Sequence, residues 1–251
     1  MDALISSLAT LQGTLCAVAI LSILLFLESF HSSWSPFFIL HAILAIVIPV
    51  SMGFWPKETL FGTLSRNAGV AFAFFAALVL WEHFFSGLLY ERWFLKRLGR
   101  EKDPYYSPSL ALESILERSA RKLGLGLPAS QALFAAYALI WAPFGEELLF
   151  WGWLHPSLGT AWGFWPATAL VSLVFAAHHL LYLGGQWDRL PWGSLIAFSV
   201  SSFVTGILMS LLFRATHSLF PLMAVHVGAN AVWVALSVLH PAPKPIAARK
   251  S

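Results

Sequence analysis

Seven apolar runs recur along the chain, at approximately 6–27, 36–55, 69–90, 130–153, 161–183, 192–213 and 218–239. About 20 such residues are what an α-helix needs to cross the hydrocarbon core of a bilayer. The pattern therefore predicts an all-α fold, a polytopic transmembrane helix bundle of about seven spans. An eighth, re-entrant or half-length helix has room in the Trp-rich stretch 151–165. Trp34, Trp55, Trp162, Trp165 and Trp192 fall near the ends of the runs, where amphipathic rings favour the interface.

The polar intervals set the orientation. Arg92, Lys96, Arg97, Arg100, Lys102, Arg118, Arg121 and Lys122 crowd into the segment from Glu91 to Pro128, more than half of the chain's 15 Lys and Arg. Basic loops stay in the cytoplasm. Counting outward from that segment puts the N-terminus outside and the tail, with Lys244, Arg249 and Lys250, inside. Within the segment, residues 109–123 read as an amphipathic helix lying on the membrane surface or against the bundle. Turn signals, Asp103-Pro104 and the Gly-rich approach to Pro128, bound it. Three parts follow: 1–128, N-terminal helices plus the basic amphipathic segment; 129–240, a transmembrane core; and 241–251, a disordered basic tail.

Composition sharpens this reading. Hydrophobic residues make up 58% of the 251 residues and charged ones 11%, against roughly 45–50% and 25% in soluble domains. A single cysteine, Cys16, excludes a disulfide framework and a Cys-based metal site. Residues 1–13 lack a basic n-region, so the first run is expected to remain as an anchor rather than be cleaved. No targeting signal points to an organelle, and the expected location is a bacterial plasma membrane.

Chemistry enters at Ala142–Leu154, where two adjacent carboxylates, Glu146 and Glu147, interrupt an apolar run. An ionised carboxylate in hydrocarbon costs roughly 2.5–3.5 kcal/mol even on lenient insertion scales. Such residues need partners, protonation or a wet cavity. The fifth run carries Phe175-Ala-Ala-His178-His179, and the seventh carries His226-Val-Gly-Ala-Asn230, whose i, i+4 spacing puts His226 and Asn230 on one face. A lone intramembrane histidine is more often a satisfied core residue, but three such groups in one stretch of chain point to a site. At about 1.5 Å of rise per residue, Glu146 comes out somewhat farther from the cytoplasmic end than His179 and His226. A kink or unwinding at Pro143 and Gly145 would correct that offset.

Peptide hydrolysis by water needs a base, an oxyanion stabiliser and a proton donor to the leaving amine. A desolvated glutamate suits the base role, and histidine and asparagine can donate to an oxyanion. Alternatively, Glu146, His179 and His226 could hold a zinc ion that activates the water. The residues leave both schemes open. No serine or cysteine has a base at motif spacing. Glu82-His83 and His41 lie in other runs and read as local helix contacts, with a part in a substrate gate as the alternative.

The three groups resemble the motifs of the CPBP family of intramembrane proteases, which includes the Ras-converting type of CAAX endoprotease and bacterial relatives. Glu146-Glu147 resembles that family's Glu-Glu-x-x-x-Arg, Phe175 through His179 its Phe-x-x-x-His, and His226 through Asn230 its His-x-x-x-Asn, in the same order over residues 130–239. The resemblance implies that Glu146 activates the water with Glu147 assisting. It further implies that His179 supports water or substrate, and that His226 and Asn230 form the oxyanion site. No cofactor is implied, with zinc as the alternative. The implied substrate is a membrane-anchored protein or peptide cut near its C-terminus, and no nucleic acid. Trp151 stands where the family has arginine, so Glu147 needs another partner, such as Arg214, or is held neutral. The rival readings are an inactive membrane scaffold or immunity protein of the same fold, and a proton-coupled transporter.

Overall fold

The computed structural model describes residues 60–82, 135–182 and 192–239, together with Ile43, Ile46, Val47, Pro49, Val50 and Ala132. Every element among them is helical. The expected first span, nearly all of the second, His41, His83, the amphipathic segment 109–123 and the tail 241–251 lie outside the described residues.

The first helix, α1, spans Leu60–Glu82. The second body is one continuous helical rod with four phases. Tyr137–Trp141 is π-helical, Ala142–Glu146 forms α2, Glu147–Leu154 is π-helical again, and His155–Trp162 forms α3. Then come α4 (Phe164–Tyr182), α5 (Trp192–Thr216) and α6 (Leu219–Leu239).

Sequence accounts for much of this layout. Pro143 lacks an N–H, and its ring crowds the carbonyl four residues back, at Leu139. The wider π-helical turn at Tyr137–Trp141 relieves that crowding. Gly163 ends α3 with φ +83° and its N–H on the Gly159 carbonyl at 2.9 Å, a left-handed stop that favours glycine. Helix α3 lies in the Trp-rich stretch that had room for a half-length helix, as the end of the rod. The α5–α6 corner is tight. There His217 takes φ +51° and bonds back to the Phe213 carbonyl at 2.7 Å.

The π-helical segment Glu147–Leu154 is the axis of the bundle. Leu148, Leu149, Phe150, Trp151, Trp153 and Leu154 are each at most 1% exposed, so the rod is enclosed by its neighbours. Helices α4, α5 and α6 all pack against it. Helix α4 pairs with α5 along a seam so close that a Cβ on Gly206 would sit 2.8 Å from the Ser172 Cα. Helix α1 lies against α5 and α6, with the Phe75 ring on Gly228. Outward faces carry Phe72, Leu80, Leu173 and Ile196, all well exposed. An apolar exterior of this kind marks a surface meant for lipid or a partner rather than water.

Among the described residues one helix, α5 over Leu195–Thr216, is both long and apolar enough to cross a membrane by length and composition. Asn67–Glu82, Phe164–Leu180 and Leu219–Val232 are apolar but shorter.

Candidate active site

Four of the five residues singled out in the sequence meet in space. Glu147 Oε1 accepts the Nδ1–H of His226 at 2.7 Å, the length of a strong charge-assisted bond. Glu146 Oε2 lies 3.9 Å from His179 Nε2. Neighbouring carboxylates thus serve two different helices, Glu146 facing α4 and Glu147 facing α6. The expected depth mismatch is absent. The rod changes from α to π geometry at the two glutamates, and Pro143 sits in the α-helical turn just before them. Asn230 lies one turn beyond His226 on α6 and is half-buried.

His179 is held from two sides by one residue. Its Nδ1 is 2.9 Å from the Phe175 carbonyl. A carbonyl only accepts, so the proton sits on Nδ1 and Nε2 presents a lone pair. The Phe175 ring stacks at 4.2 Å between centroids. Nε2 therefore faces Glu146 Oε2 as acceptor facing acceptor. That carboxylate oxygen is buried and has no hydrogen-bond partner among the described residues; the same is true of Glu147 Oε2. His178, the other member of the histidine pair, is buried with its ring edge-on to Phe150 at 5.3 Å.

Trp151 and Arg214 resolve the question raised by the missing arginine. Trp151 donates its indole N–H to Ser210 Oγ at 3.0 Å and is fully buried. Arg214 does not reach Glu147. Its guanidinium lies over the Phe164 ring at 4.4 Å and near Trp165 at 5.9 Å, held there by cation–π attraction at the far end of α4. The partner of Glu147 is His226.

With this geometry in place, residues 128–232 match the family model described as Type II CAAX prenyl endopeptidase Rce1-like. The chain carries an Rce1-like segment. No curated protein and no solved structure matches the chain. The description names an endopeptidase, and it agrees with the CPBP resemblance of the three motifs. The Rce1-like segment takes in Glu146, Glu147, His179, His226, Asn230 and Trp151, and it stops short of α1.

Helix α1 brings one more carboxylate to the bundle: Glu82 ends the inward stripe Ala71–Phe75–Leu78 at helical spacing. Sequence reading treated Glu82 as a local helix contact. Its position on the inward stripe was the available signal. Among the described residues no group of three or more His, Cys, Asp or Glu side chains has an arrangement that would hold a metal ion.

Proposed function

We propose that this protein is an intramembrane endopeptidase that hydrolyses a peptide bond near the C-terminus of a membrane-tethered protein, with water activated by Glu146. The observation that carries this reading is the opposed pair of acceptors, Glu146 Oε2 and His179 Nε2, at 3.9 Å. A water that donates one O–H to each would bridge the two. A water oxygen about 2.8 Å from each has that geometry, and it would point its remaining lone pair at a carbonyl.

The chemistry then runs on this chain's own residues. Glu146 takes a proton from the water as its oxygen bonds to the scissile carbonyl carbon. The carbonyl oxygen becomes an oxyanion, facing His226 Nε2 and the Asn230 amide. His226 Nδ1–H is already given to Glu147, so Nε2 donates as the imidazolium, whose charge that carboxylate balances. Glu146 returns its proton to the leaving amine as the C–N bond breaks. His179 orients the water, and the Phe175 carbonyl keeps its Nε2 unprotonated. The alternative to a metal-free water is zinc on Glu146, His179 and His226, which would require these side chains to rearrange, since they are not set to hold a metal ion as they stand.

The remaining expectations belong to the same proposal: about seven spans, the N-terminus outside and the C-terminus cytoplasmic, in a plasma membrane. The test is cleavage of membrane-tethered peptides, prenylated or carrying an apolar sorting tail, by purified protein in detergent. Wild type is set beside Glu146→Ala and His226→Ala, with and without a zinc chelator. Both variants are expected to lose cleavage while chelation changes nothing. Loss on chelation with recovery on added zinc would move these side chains to ligand roles. Cleavage surviving in Glu146→Ala would end the proposal.

A further inference from the structure

An unbroken set of contacts joins Trp151 to His179. Ser210 Oγ–H donates to the Gly206 carbonyl at 2.9 Å, which leaves the Ser210 oxygen to accept the indole N–H at 3.0 Å. The indole is thereby fixed in rotation, with its donor satisfied at complete burial. Its ring meets Phe175 edge-on at 5.2 Å and 64°. Phe150 meets the same phenyl ring at 5.2 Å and 90°. Clamped between these two, Phe175 presents both its ring and its carbonyl to His179.

Trp153, two residues along the same rod, supplies the contrast. It is 1% exposed, and its Nε1 has no hydrogen-bond partner among the described residues. The fold thus tolerates a buried indole with an unmet donor. Packing alone does not require the Trp151–Ser210 bond.

We propose that Trp151 and Ser210 are positioning residues for His179, acting through Phe175 to hold the histidine in its Nδ1–H tautomer with Nε2 turned to Glu146. This rests on the endopeptidase reading above for its catalytic consequence, but not for its structural one. If the indole tilts, the phenyl ring and the carbonyl behind it shift together. His179 then loses its Nδ1–H acceptor, and a fraction of molecules carry the proton on Nε2. In that fraction His179 donates where the water also donates, and the water is no longer held. The tautomer of a buried histidine is set by the bond its other nitrogen makes, and displacement of about 1 Å at a reacting group is enough to slow chemistry tenfold or more.

The experiment uses the full chain in detergent, with 15N-labelled histidine, comparing wild type with Trp151→Phe, Ser210→Ala and Trp153→Phe. Side-chain 15N shifts read the His179 tautomer, cleavage reads kcat and KM, and thermal unfolding reads Tm. Trp151→Phe and Ser210→Ala are expected to convert a single Nδ1–H form into a mixture. They should also lower kcat on the order of tenfold with KM unchanged. Trp153→Phe should leave tautomer and kcat as in wild type. An unchanged tautomer in both Trp151→Phe and Ser210→Ala overturns the inference, as does an equal disturbance by Trp153→Phe. Should Ser210→Ala fail to fold, Trp151→Phe, which keeps an aromatic ring, carries the same decision. Absence of Glu146-dependent cleavage in wild type counts against the endopeptidase reading alone, because the tautomer is read without substrate.

Discussion

His155 and His179 sit at opposite ends of α4, separated by most of its length, and both lie among aromatic rings. His155 has Phe164 at 5.4 Å and Phe213 at 6.0 Å, and its Nε2 meets Thr168 Oγ1 at 3.1 Å. His179 has Phe175 at 4.2 Å, Phe198 at 6.1 Å and the Phe175 carbonyl on Nδ1. Ring contacts do not separate the two; the character of the polar neighbours does. A threonine hydroxyl can give or take a proton bond, so it satisfies His155 in either tautomer. Two neighbours of His179 accept, a carbonyl on one side and a carboxylate on the other. One end of the helix is chemically closed, whereas the other sets beside the imidazole a buried carboxylate oxygen that has no hydrogen-bond partner among the described residues.

The comparison breaks most sharply on His179→Ala. If that end is where water is held, kcat should fall by about 10²–10⁴-fold with Tm close to wild type, as read by peptide cleavage and thermal unfolding. Next in size is Glu147→Gln, which weakens the charge-assisted bond to His226. Such bonds contribute about 1.5–3 kcal/mol, so kcat/KM should drop roughly 10–150-fold at constant substrate concentration. An unaltered kcat/KM would remove Glu147 from the oxyanion side of the site.

Gly206→Ala tests the shared seam between the two ends. Its methyl would meet the Ser172 backbone, and overpacking of that kind costs about 1–3 kcal/mol, visible as a lower Tm together with reduced cleavage. At the closed end, His155→Phe leaves the Thr168 hydroxyl without its partner, for a loss of about 1–3 kcal/mol in stability and kcat within about twofold of wild type. Adding Thr168→Val should recover most of that stability, since replacing both partners by apolar groups can be nearly neutral. A large fall in kcat from His155→Phe would contradict the division drawn here.

Much of this was legible in the sequence. The apolar runs 161–183, 192–213 and 218–239 correspond to α4, α5 and α6 within a few residues, because an apolar run of that length has little choice but helix. Glu146, Glu147, His179 and His226 stood out because ionisable groups are costly in apolar surroundings. What could not be read was angular. The split of adjacent glutamates between α4 and α6 depends on a rod that changes helical phase. No propensity scale marks that change beyond the hint at Pro143. The fate of Arg214 also followed from three dimensions, since stacking on Phe164 places it well away from Glu147. Ser210 gave no signal at all as one more small residue in an apolar helix. His155 went unremarked, and as a satisfied core histidine it is the case in which silence was the right answer.

The π-helical turns at Glu147–Leu154 carry a further implication, for heredity rather than chemistry. A π turn closes each hydrogen bond over one more residue than an α turn does. The rod therefore stores surplus chain at its most enclosed point. Loss of a single codon there removes that surplus and lets the segment relax to α-helix, with the chain beyond the gap keeping close to its present facing. The same loss in a plain α-helix would turn everything beyond it by about 100°. The rod is therefore most tolerant of a one-residue deletion at its most enclosed point.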